Sequence, residues 1–260
     1  MRTRNRTWIW VFTISLAGAA IVLYGAAGAE TGRDASSTPK PVSIEKPAVP
    51  PGAPALPLYV PPKGLGAPGG RKGGAARGNT TDPVVLSVVA PDHTALSARD
   101  QPTLYWYISK PTATPIEFTL LDERSVYPRL EVRVGKPNEA GLQRVRLADY
   151  NIRLEPGVMY EWTVAVVVDP VRRSKDLLAG GVVMYRELPS DVADRLAREE
   201  RTAAPGIYAW SGFWYDAVSS MSELIDASPQ DPWLRRQRAA LLEQADLPEV
   251  AAYDKVGAVQ

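Results

Sequence analysis

The sequence predicts a mainly β fold with added α structure: a β-sandwich followed by a C-terminal helical hairpin or three-helix tail. Three observations predict it. Between residues 81 and 188, seven short runs of strand-forming residues are separated by turn formers rather than by helical stretches. From 189 to 248, helix formers take over, punctuated by Pro and Gly. Ahead of both, residues 30–80 are too rich in Pro and Gly to supply a core.

The first element is residues 1–29. Arg2, Arg4 and Arg6 form a basic start, and no charged residue appears from Thr7 to Ala29, so the stretch can enter a bilayer without burying a charge. Ala27-Gly28-Ala29 has the small-x-small pattern of a cleavage site, which favours a cut before Glu30. The apolar run of roughly 18 residues is also at the lower limit for a spanning helix. The element therefore reads as a signal peptide or an N-terminal membrane anchor. The expected location is the periplasm or the cell exterior, with a tether through residues 7–29 if the segment is retained.

Residues 30–80 follow as an expected disordered linker. Pro50-Pro51, Pro61-Pro62 and Gly69-Gly70 break any helix or central strand, and the Pro-rich half should act as a semi-rigid polyproline spacer. Lys63, Arg71, Lys72 and Arg77 are too sparse to define a charged patch.

The seven predicted strands are Val84–Ala90, Thr103–Ile108, Ile116–Leu121, Leu130–Val134, Leu142–Leu147, Tyr160–Val168 and Gly181–Glu187. Side chains alternate along a strand, so Leu104, Trp106 and Ile108 share one face of the second run. Trp106 is the expected central core residue. Tyr105 and Tyr107 fall on the opposite face, where they are expected to be exposed. In the sixth run Tyr160, Trp162, Val164, Val166 and Val168 form the inward stripe.

Leu154-Glu-Pro156-Gly157-Val-Met-Tyr160 resembles the L-x-P-G-x-x-Y corner of fibronectin type III domains. That resemblance implies an immunoglobulin/fibronectin-III-like sandwich, with the Tyr160 hydroxyl bonded to upstream backbone. A wider ordered set runs through Pro91-Asp-His-Thr94, Gln101-Pro102-Thr103-Leu-Tyr-Trp106-Tyr107, Glu117-Phe118-Thr-Leu120-Leu-Asp122, Tyr160-Glu-Trp162, Asp169-Pro170-x-Arg172-Arg173-Ser174 and Tyr208-Ala-x-x-Gly212-x-Trp214-Tyr215-Asp216-Ala217. From about Val84 to Leu247 this set resembles the domain of unknown function 928 family. The resemblance implies a bacterial protein with an export signal. It brings no assigned reaction or ligand, so no catalytic residue is carried over.

In the tail, Ser190 is the expected N-cap of a helix over Asp191–Arg201, and Pro205-Gly206 interrupts it to begin the next. Tyr208, Gly212, Trp214, Ala217 and Pro229 recur at intervals resembling one tetratricopeptide unit. A third helix, Pro232–Gln244, follows Asp231 as its cap, and residues 249–260 read as a flexible end. One helical unit cannot bury its own apolar face, so the tail must dock on the sandwich or on a partner. Trp210, Phe213 and Trp214 are the interface candidates.

Chemistry-bearing patterns are sparse. Thirty basic residues against 29 acidic ones leave no bulk field for nucleic acid, and the lack of Cys removes disulfides and thiolate sites. His93 is the one histidine, and no nucleophile-elbow pattern surrounds Ser97 or Ser125. Asp122, Glu123, Asp169 and Asp176 lack the spacing of a calcium loop. The expectation is a non-enzymatic protein with no cofactor or metal, a scaffold or interaction module whose partner is another envelope protein and whose contact with membrane is confined to the N-terminal segment. The candidate surface is Tyr105, Tyr107, Arg172, Arg173, Trp210, Phe213 and Trp214. The alternative is a small-ligand or glycan sensor in which Tyr105 and Tyr107 stack and Arg172, Arg173 and Lys175 supply polar contacts.

Overall fold

The strand-forming runs pair into two sheets, with Tyr160, Trp162, Val164 and Val166 buried as expected, whereas Val168 lies beyond the strand and is exposed. The computed structural model describes residues 55–65, 70–75, 84–135, 137, 139–169 and 171–257. The expected export segment lies outside them. Nine strands are present among the described residues: β1 (Gly74–Ala75), β2 (Val85–Val88), β3 (Ala95–Ser97), β4 (Thr103–Ile108), β5 (Ile116–Asp122), β6 (Pro128–Val134), β7 (Gly141–Arg146), β8 (Met159–Val166) and β9 (Leu177–Tyr185). One sheet has the order β1-β2-β4-β7 and the other β3-β9-β8-β5-β6.

In the four-stranded sheet, Leu86 pairs with Ile108, Val88 with Trp106 and Leu104 with Val145, which gathers these apolar side chains on one face. They share a buried cluster with Ile116, Phe118, Leu120, Tyr160, Trp162 and Val164 of the five-stranded sheet. The edge strand β6 begins at Pro128 and carries Arg129, Glu131 and Arg133, which discourage pairing with another chain.

Two strands escape the sequence pattern. β1 has two residues and β3 three, too few for alternation to register. The last strand begins at Leu177 rather than at Gly181, because its Gly180-Gly181 pair imitates a turn. A Cβ on Gly181 would sit 2.7 Å from the Ala90 Cβ and 3.3 Å from the Trp162 Nε1, so glycine serves close packing here and not chain reversal. At the corner before β8, Gly157 has a φ of 76°, and the Tyr160 hydroxyl accepts a hydrogen bond from the Glu155 N–H at 3.1 Å.

Five helices follow: α1 (Ser190–Arg198), α2 (Ala204–Trp210), α3 (Trp214–Ala227), α4 (Pro232–Gln244) and α5 (Pro248–Gly257). None is long and apolar enough to cross a membrane. The Asp231 carboxylate caps α4 by accepting from the Trp233 N–H at 2.8 Å. Ser190 is instead the first residue of α1, with Pro189 at the cap position and no side-chain cap bond. The expected flexible end is replaced by α5. Val250 and Ala251 bury against the core and Asp254 is fully buried, a docking face too short to stand out as periodicity in the sequence.

The supposed spacer is also partly structured. Lys72 exchanges two backbone hydrogen bonds with Gly180, at 2.7 and 2.8 Å, and its ammonium meets Glu161. The Arg71 guanidinium donates to the Ala90 and Ala245 carbonyls at 3.3 and 2.6 Å, joining sandwich to helices. Upstream, the Tyr59 N–H donates to Gln244 Oε1 and the Gln244 amide donates to the Pro57 carbonyl, both at 2.9 Å. Composition alone reads such a segment as coil, because its partners, from Ala90 to Ala245, lie outside it in the chain.

Candidate functional site

The helical layer is bound to the sandwich by three consecutive residues at the start of α3. The Trp214 indole donates to the Val89 carbonyl at 3.0 Å, just beyond β2. The Tyr215 hydroxyl donates to the Val182 carbonyl of β9 at 3.1 Å and accepts from the Trp162 indole at 2.9 Å. An Asp216 oxygen accepts from the Ala98 N–H at 2.6 Å, and Arg99 stands 3.7 Å from the other oxygen. Burial is the main influence on this carboxyl and pushes it up to about 6, against the Ala98 hydrogen bond and the charge of Arg99. Each of these side chains is almost fully buried.

That arrangement settles the fate of most sequence-derived candidates. Phe213 packs with Leu96 and Met184, and Trp214 is enclosed, so neither is a surface residue. Tyr105 and Tyr107 do lie on the face of β4 opposite Trp106, but only 6% and 8% of their surface is exposed. Period-2 alternation assigns a residue to a face, and the helices cover this one: the Tyr107 ring lies 5.6 Å from that of Tyr253 in α5. Arg172 is exposed and paired with Asp169 at 2.6 Å. Arg173 joins Glu117 at 2.5 Å and Asp176 at 2.6 Å. Asp169 is held below the usual carboxylate range by its bond to Arg172, and Glu117 by its bond to Arg173.

His93 is engaged at both ring nitrogens. Its Nδ1 meets the Thr94 carbonyl at 3.0 Å, and its Nε2 lies 3.4 Å from the Tyr59 hydroxyl, with the two rings stacked at 5.8 Å. Ser97 is bonded to the backbone of Arg99 at 3.1 Å. Asp122 is occupied by Arg124.

Trp210 stands apart from the other tail aromatics. It ends α2 and is 58% exposed, beside Leu56 at 52% and Leu58 at 55%. These three, with Ile207, Arg195 and Glu199, line a cleft of about 450 Å³ between α1, α2 and the extended arm 55–58. The Val60 N–H bonds to the Ala209 carbonyl at 3.1 Å and fixes the arm along α2. A Cβ on Gly212, whose φ is 84°, would lie 3.3 Å from the Val60 carbonyl, so the turn into α3 both needs glycine and admits the arm. Sequence reasoning found Trp210 but missed Leu56 and Leu58, which lie in the stretch assigned to the spacer. Two leucines spaced by one residue in a Pro-rich context are the signal that marks them.

The model of the Domain of Unknown Function (DUF928) family matches residues 69–254, well over half of the chain. The chain belongs to this family. The DUF928 region runs from β1 into α5, so it includes Trp210 but not the arm that carries Leu56, Tyr59 and Leu58. No curated protein matches. Among solved structures, one similar chain is a multi-domain immunophilin from Arabidopsis thaliana. It is 9% identical, with 68% of this chain and 94% of that chain covered and a TM-score of 0.17, a likeness that carries no argument about this DUF928 member.

Proposed function

We propose that the protein is a non-enzymatic interaction module of the cell envelope, exported by its N-terminal segment, and that the cleft beside Trp210 receives an apolar side chain of a protein partner. The observation that carries this reading is the exposure of Trp210 with Leu56 and Leu58 in one concave patch, on a tail whose Phe213, Trp214, Tyr215 and Trp233 are buried. Grouped exposed apolar residues around a Trp are the composition of binding hot spots. Arg195 and Glu199 at the rim would fix the partner's orientation through complementary charge.

We read the β part more finely as an immunoglobulin/fibronectin-III-like sandwich. The Tyr160–Glu155 corner bond and the parallel pairing of β3 with β9, in sheets ordered β1-β2-β4-β7 and β3-β9-β8-β5-β6, support that reading.

The test is crosslinking of the full chain in its native envelope fraction, wild type beside Trp210→Ala. A stoichiometric partner captured by the wild type and lost from the variant, with an unchanged melting temperature, is the expected result. Equal capture by both chains overturns the assignment of the cleft, and recovery of the wild-type chain from the cytosol alone overturns export.

A further inference from the structure

A second cleft, of about 370 Å³, lies where the outer face of the four-stranded sheet meets the helices. Its walls bring Tyr105 and Arg144 from the sheet together with Ser222 of α3, Arg235 and Arg238 of α4, and Tyr253 of α5. Three guanidinium groups line one small space, and they are not equivalent.

Arg238 is spent. It is buried, donates to both oxygens of the buried Asp254 at 2.7 and 2.6 Å, and donates to Ser222 Oγ at 2.9 Å. Its charge is cancelled and its donors are occupied, so it shapes the wall rather than offering a contact. Arg144 is half-committed, with a bond of 2.8 Å to the exposed Asp226 and a further interaction with the Tyr105 hydroxyl. Arg235 is open. Its Nε is buried without a hydrogen-bond partner, and among the described residues no ion pair neutralises it. Of the five charged groups lining or backing the cleft, the two carboxylates Asp226 and Asp254 offset Arg144 and Arg238, which leaves the charge of Arg235 uncompensated. Arg235 is half-buried on the cleft wall, and a guanidinium without a counter-charge in a partly desolvated cleft favours an anion beside it.

We infer that this cleft binds a small organic oxyanion, a molecule carrying a carboxylate or phosphate group, with Arg235 as the principal contact and Arg144 on the facing wall as the second. Planar guanidinium groups pair bidentately with either oxyanion, and the excess positive charge selects against cations. The volume falls in the range of small-molecule sites and exceeds what a bare anion fills. Tyr105 and Tyr253 then supply ring surface for the rest of the ligand. Sequence reasoning named Tyr105 as a ligand contact but paired it with Arg172 and Arg173, which lie elsewhere, in the loop before β9.

The experiment is calorimetric titration of the full chain at low salt with two probes, inorganic phosphate and glucuronate. Saturable binding of either supports the inference. Phosphate alone identifies a phosphorylated ligand, glucuronate alone a carboxylated one, and both a site that reads the oxyanion only. Arg235→Gln should weaken binding by about tenfold or more, in line with loss of a charged hydrogen bond, while leaving the melting temperature without probe equal or higher because an uncompensated charge is gone. Arg144→Gln, at a half-exposed side chain, gives an independent reading and should also weaken binding. Arg172→Gln should leave it unchanged. No saturable binding of either probe, or binding that both Arg235→Gln and Arg144→Gln leave intact, overturns the inference. The outcome is independent of the Trp210 cleft, which lies on α2.

Discussion

Between the two sheets the contacts are apolar: Leu86, Leu104, Trp106 and Ile108 of one sheet share a continuous buried cluster with Phe118, Leu120, Trp162 and Val164 of the other. Between sheets and helices, by contrast, Trp214, Tyr215 and Asp216 each carry a hydrogen bond across the junction. Apolar packing is non-directional and tolerates rearrangement at constant volume, whereas hydrogen bonds fix an orientation. The sandwich is thus specified by volume and alternation, and the position of the helical layer by a few polar atoms in a dry setting.

Truncation within the sandwich should have the largest effect. Trp106→Ala is expected to lower stability by about 3–5 kcal/mol, read from the denaturant midpoint, and an unchanged midpoint would show that Trp106 is not part of the core. At the junction, Trp214→Phe should cost about 2 kcal/mol, since it leaves the Val89 carbonyl without its donor. Trp106→Phe should cost less than that, because the Trp106 Nε1 has no hydrogen-bond partner to lose. The reverse order would mean that packing alone holds the helices. Tyr160→Phe, which removes the acceptor of the Glu155 N–H, should cost roughly 1 kcal/mol.

The smallest effect separates the two regions by pH. Burial raises the Asp216 carboxyl from 3.8 to about 6, so the folded state binds this proton more tightly than the unfolded chain does. The stability gained from protonation is fully present below the unfolded value and is lost as pH rises through 6. Between pH 7 and pH 5 the wild type should therefore gain about 1 kcal/mol relative to Asp216→Asn. Carboxylates held low by arginines, such as Glu117, act in the opposite sense and at lower pH, where stability falls as they protonate. Parallel wild-type and Asp216→Asn stability curves across this window would show that Asp216 is not desolvated at the junction.

Alternation along β4, β5 and β8, the Pro156-Gly157 corner and the Asp231 cap were all readable, because each is a local rule carried by adjacent residues. They place Trp106, Trp162 and Tyr160 in the core before any tertiary information. The docking face of the tail was half readable: an isolated helical unit must cover its apolar side, but no local pattern says that Phe213 and Trp214 turn inward while Trp210 stays out. Tyr105 and Tyr107 show the same limit, since a strand of period two has two faces and only a distant helix decides whether the second is wet. The arm at Tyr59, the bridge at Lys72 and the meeting of Arg235 with Arg144 depend on residues far apart in the chain. The sequence by itself determined the longer strands, most of their inward residues and most helix positions, through backbone preference and hydrophobic period. Only the tertiary structure decided that Trp210 is left in solvent while Trp214 is enclosed, and that Arg235 lines a cleft without a counter-charge there, because exposure and charge balance are set by neighbours in space.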